Sequence, residues 1–112
     1  MKTDRELLEL AAKAAGNPQG TSRAYGSQGG LRMENGLYWN PLTDDGDALR
    51  LAVKLRIEVE PWIHGDSACA RAACREVLID EPHYGDDPER ATRRSIVRAA
   101  AAMQEANEQP VR

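Results

Sequence analysis

Phenylalanine is absent from the chain, and two tryptophans and three tyrosines are its whole aromatic complement. A core without Phe is assembled from leucine, isoleucine, valine and many alanines, which let elements approach closely but bury less apolar area per residue. Cysteine is equally scarce. Cys69 and Cys74 are too few for the disulfide framework of a small secreted protein, and they read as thiols. No apolar run approaches the ~18 residues needed to cross a bilayer, and the acid-bearing start MKTDRELLELAAKAAG lacks the apolar block of a signal peptide. A cytoplasmic chain without membrane contact is therefore expected. Excess positive charge is also lacking: the formal net charge is −3 and the pI is near 5.4, which gives no general attraction to nucleic acid or anionic lipid. G-x-S-x-G, H-E-x-x-H, G-x-G-x-x-G and P-loop patterns are all missing, so neither an enzyme nor a cofactor is expected.

What is present suits one domain over 1–112, with 41% hydrophobic and 29% charged residues. Thr3-Asp4-Arg5-Glu6 has the form of a capping box, and Leu7, Leu10, Ala11 and Ala14 follow at helical spacing, which predicts a helix over 4–15. The segment 16–30, GNPQGTSRAYGSQGG, reads as a Gly-rich loop and a candidate contact surface, with Arg23 and Tyr25 as its contact residues. LRMENGLYWN alternates around Asn35-Gly36, a dipeptide suited to a two-residue hairpin turn, and predicts strands at 31–34 and 37–40 with Trp39 facing the core. Asn40-Pro41 stops the second strand.

A second helix is predicted over 43–54, capped by Thr43 or Asp44 with Asp47 closing the box. Ile57 and Val59 alternate with Glu58 and Glu60, giving a third strand. Two further strands are placed near 67–71 and 74–80. Asp87-Pro88 starts a last helix running to about 106, whose core stripe is Ile96, Ala99, Ala100 and Met103, and the tail over 107–112 is expected to fray. Together these elements define an α+β fold.

Asp44, Asp45 and Asp47 lack the alternation of a calcium loop and read as helix-start residues. His64, Cys69, Cys74 and His83 give H-x4-C-x4-C-x8-H, but a separation of five puts the cysteines on opposite faces of one strand, so two thiols and two surface histidines are expected rather than zinc. Arg90, Arg93, Arg94 and Arg98 crowd one side of the last helix and form the candidate partner- or phosphate-binding face. Glu89 before Arg93 and Asp86 before Arg90 offer local pairing instead.

The stretches NGLYWNPLTDDGDALRLAVKL and EPHYGDDPERATRRSIVRAAAAM, with TDRELLELAAKAAG, resemble a family of small phage and prophage proteins that carry the phage ABA sandwich domain. The resemblance implies a small α/β/α sandwich, three helices with a mainly antiparallel sheet of four to five strands, and brings no catalytic residue or cofactor. The chain departs from the pattern at 16–30 and in HGDSACARAACREV. The expected role is that of a non-enzymatic phage accessory protein in the host cytoplasm that binds a host protein, as inhibitors of antiviral defence do, anti-CRISPR factors among them. The alternative is a nucleic-acid or nucleotide binder using the arginine face, and an exposed strand edge would allow a homodimer.

Overall fold

The computed structural model describes residues 2–16, 30–32, 38–63 and 69–108. Helix α1 (Asp4–Ala14) begins with the full capping box: the Glu6 N–H donates to Thr3 Oγ1 at 3.1 Å, and the Thr3 N–H donates to Glu6 Oε1 at 3.0 Å. Its buried residues serve two neighbours. Leu7 and Ala11 join the main core, whereas Leu8 and Ala12 pack with Leu31 in a second cluster that Trp39 and Leu42 flank.

Strands β1 (Leu31–Arg32) and β2 (Tyr38–Trp39) form an antiparallel pair with Leu31 opposite Trp39. An uninterrupted two-residue turn on Asn35-Gly36 would instead place Arg32 opposite Trp39, so the register differs by one from that expectation. The turn itself lies outside the described residues. Gly30 allows the close approach, because a Cβ there would stand 3.2 Å from the Trp39 carbonyl oxygen and from the Asn40 side chain.

Helix α2 (Asp45–Leu55) is capped by Asp44, whose carboxylate accepts from the Asp47 N–H at 2.8 Å. The expected closing of the box by Asp47 is corrected. Its carboxylate reaches back to the Asn40 N–H at 2.9 Å and to Arg50 at 2.7 Å, because the chain turns at Asn40-Pro41 and brings the end of β2 over the first turn of α2. The helix ends on Arg56 at φ 57°, with the Ile57 N–H donating to the Ala52 carbonyl at 2.8 Å, an end usually given to glycine.

Strands β3 (Glu58–Glu60), β4 (Cys69–Cys74) and β5 (Val77–Pro82) form an antiparallel sheet in that order. The break placed at 71–74 is corrected: Cys74 pairs with Val77, and the turn falls on Arg75-Glu76, where Arg75 has φ 55°. On one face Val59, Ala72, Cys74, Val77 and Ile79 enter the main core. The other face presents Glu58, Glu60, Arg71, Ala73, Leu78 and Asp80, with Leu78 56% exposed. The strands thus divide between two sheets within an α+β architecture.

Helix α3 (Pro88–Glu108) packs against α1, α2 and all three strands of that sheet. It starts with Pro88, and the Asp87 carboxylate accepts from the Arg90 N–H at 3.1 Å. Besides the stripe of Ile96, Ala99 and Ala100, it buries Ala91, Ser95, Val97 and Ala101. The fraying expected from 107 does not hold for Asn107 and Glu108, which belong to α3; 109–112 lie outside the described residues. No helix among the described residues is long and apolar enough to cross a membrane.

Two outcomes follow from these junctions. Asp47→Ala removes the carboxylate acceptor of the Asn40 N–H and should cost about 1–2 kcal/mol, read as a lower urea midpoint with an unchanged m-value. The Arg71 guanidinium donates to both Asp80 oxygens, at 2.7 and 3.1 Å, and holds that carboxyl below its ordinary range; the Thr3 N–H does the same for Glu6. Carboxyls depressed by folding add stability that is present above their unfolded pKa values and is lost as pH falls through the folded ones. The Asp80→Asn, Glu6→Gln double variant should therefore show a flatter stability profile than wild type between about pH 5 and pH 2 in urea titrations.

Candidate functional site

The arginines singled out in the sequence are mostly committed to carboxylates far away in the chain. Arg93 donates through Nε to the Leu42 carbonyl at 2.9 Å and through Nη1 to Asp45 at 2.7 Å. Arg94 reaches Asp4 at 2.8 Å and Glu81 at 3.6 Å, and Arg98 bonds to Glu81 as well. Glu81, Asp4, Arg94 and Arg98 make an electrically balanced cluster that ties the start of α1 and the end of β5 to α3. A phosphate would have to compete with carboxylates already in place. The local pairs suggested by spacing, Glu89 with Arg93 and Asp86 with Arg90, do not form, and Arg90 alone of the four has no side-chain partner among the described residues. Arg23 and Tyr25 lie outside the described residues.

The expected thiol and histidine positions resolve differently. Cys69 and Cys74 occupy opposite faces of β4, with Cys74 buried and its thiol donating to the Leu55 carbonyl at 3.2 Å. Among the described residues no group of three or more His, Cys, Asp or Glu is arranged to hold a metal ion, and His64 lies outside them. His83 is not on the surface, which corrects the expectation: it is 5% exposed. Its Nδ1 accepts from the Gly85 N–H at 2.9 Å, its Nε2 meets the Pro61 carbonyl at 3.0 Å, and its ring lies edge-on to Trp62 at 4.5 Å between centroids. These bonds assign the proton to Nε2 and clamp the end of β3 to the loop that leads into α3.

That clamp forms one wall of a groove of about 480 Å³ between α2 and α3. Asp45, Ala48, Leu49 and Ala52, at i, i+3, i+4 and i+7, supply one helical face; Pro88, Glu89, Thr92, Arg93 and Ile96 supply the other; and Val59, Pro61 and Trp62 close it. Small residues leave the space open, because Ala48 and Ala52 on α2 and Thr92 on α3 carry too little side chain to fill it. Leu49, 65% exposed, and Trp62, 41% exposed, stand at the rim, and Val53 lies one turn beyond Leu49 at 69%. The polar lining is turned inward: Thr92 Oγ1 donates to the Pro88 carbonyl at 2.7 Å and Arg93 is held as described. Glu89 is exposed and bonded to no described residue. Sequence reasoning missed this groove. Its signal was Leu49 and Val53, apolar residues that fall outside the core stripe of α2.

The sheet edges offer less. β3 is three residues long, with two glutamates and Pro61 directly after it. β5 ends in Pro82, which has no N–H, and Arg98 stands 3.5 Å from the Asp80 carbonyl oxygen. The short β3 edge, and the charge and proline flanking both edges, oppose strand addition, the route by which a homodimer was expected.

Replacing the clamp with His83→Ala should cost about 2 kcal/mol and shift tryptophan emission to longer wavelength as Trp62 loses its support. Unchanged stability and emission would assign His83 no such role. No family model, no curated protein and no solved structure matches this chain.

Proposed function

We propose that this chain is a non-enzymatic accessory protein of phage or prophage origin that binds a host-cell protein through the groove between α2 and α3. The observation that carries this reading is the open apolar trough with Leu49, Val53 and Trp62 exposed around it. Apolar surface of that kind, rimmed by polar groups on a small domain, is characteristic of protein-contact sites. The phage origin rests on the resemblance of three stretches of the sequence to phage ABA sandwich proteins. On the same reading the two sheets are parts of one α/β/α sandwich, the site of action is the host cytoplasm, and interference with a host antiviral defence is the task such a protein would perform.

The second reading, a nucleic-acid or nucleotide binder working through Arg90, Arg93, Arg94 and Arg98, has weaker support. Three of those guanidinium groups are neutralised by Asp45, Asp4 and Glu81, which leaves Arg90 to attract a phosphate.

The test is affinity capture from bacterial host lysate with wild-type protein and Leu49→Asp in parallel. A stoichiometric host protein retained by the wild type and lost by the variant is the expected result. Capture unaffected by Leu49→Asp, or capture of nucleic acid that falls steeply with salt, would overturn the reading.

A further inference from the structure

Resting on that reading, we propose that the groove takes an amphipathic helix of the partner protein whose apolar stripe is flanked by lysine or arginine. The shape argues for a helix. The two long walls are themselves helical faces, at 45, 48, 49 and 52 on α2 and at 88, 89, 92, 93 and 96 on α3, and a third helix laid along them would complete ridges-into-grooves packing at the usual ~8–10 Å between axes. Apolar surface also continues past the groove, from Leu49 to Val53 one turn on, farther than a compact small molecule would cover.

The polar chemistry argues against a small ligand. A small-molecule site orients its ligand with a few convergent polar groups. Here Thr92 is satisfied by the Pro88 carbonyl, and Arg93 by the Leu42 carbonyl and Asp45. The charge left over at the rim is negative. Asp45, its side chain 78% exposed, and Arg93 balance each other, so the uncompensated charge in the lining is that of Glu89, bonded to no described residue, and the whole chain carries −3. A basic side chain arriving beside the apolar stripe meets Glu89, and the exposed Trp62 ring at the same rim can receive a cation on its face. A helix flanked by acids meets repulsion at Glu89.

The experiment measures fluorescence anisotropy of three labelled synthetic peptides of about 18 residues against the full chain: a Leu/Lys peptide with helical periodicity, a scrambled peptide of the same composition, and a Leu/Glu counterpart. The periodic Leu/Lys peptide should bind at least about tenfold tighter than either control. Leu49→Asp and Glu89→Lys should each weaken it by about fivefold or more. Glu58→Lys, the same charge change on the open sheet face, should stay within about twofold. All three substituted positions are exposed, and circular dichroism verifies that the variants fold. Equal binding of the scrambled or Leu/Glu peptide, or a loss in Glu58→Lys that matches Glu89→Lys, overturns the proposal. Groove-dependent capture of a host protein combined with no preference for the basic helix would overturn this inference alone. Peptide binding without groove-dependent capture would overturn the broader reading instead.

Discussion

The structure depends on how closely other elements approach α3. Its buried residues are mostly small, Ala91, Ser95, Ala99, Ala100 and Ala101, with Ile96 and Val97 as the larger ones, and it is covered by α1, α2 and the three-stranded sheet. A helix enclosed on that many sides has little surface left for solvent, so Arg93, Arg94 and Arg98 emerge at the seams between elements. There they meet the carboxylates of those elements, Asp4 on α1, Asp45 on α2 and Glu81 on β5. Each pair is worth little by itself where it is exposed. Their larger consequence is electrostatic: a row of cations that looks like a phosphate-binding face in one dimension is neutralised in three.

The same economy of side-chain volume produces the groove. Alanine on α2 and threonine on α3 let the two helices share the core below while leaving a trough above it. His83 and its bonds to Pro61 and Gly85 keep the wall that contains Trp62 in position. Stability and contact surface are thus set by neighbouring residues on the same helices. Ala48 and Ala52 serve the core on one side and the groove on the other.

Much of the fold was legible in the sequence because its signals are local. The capping box at Thr3, the strand stop at Asn40-Pro41, the aspartate cap of α2 and Pro88 at the start of α3 act within a few residues and appear where expected. Errors arose where the deciding contact is remote or the usual residue is missing. The β4–β5 hairpin turns on Arg75-Glu76 without glycine or asparagine, and β4 itself is alanine-rich, so both strands were expected but the break between them was placed about three residues too early. Arg56 ends α2 in a left-handed conformation with no glycine to mark it. Arg94 pairs with Asp4 across 90 positions, which no rule of helical spacing anticipates. His83 is buried by Pro61 and Trp62, twenty-odd residues earlier, and the groove exists only because α2 and α3 are brought together by the core beneath.

The central claim is that three of the four arginines on the cationic side of α3 are held by carboxylates and that the proposed contact surface is the apolar groove. Amide-resolved NMR of the isotope-labelled chain, titrated with a purified host partner, tests it most directly. Chemical-shift changes concentrated at the amides of Ala48, Leu49, Ala52, Glu89 and Thr92, with both tryptophan indoles reported and Trp62 moving more than Trp39, are the predicted result. Changes centred on Arg90, Arg94 and Arg98, with the groove amides and the Trp62 indole unmoved, would contradict it.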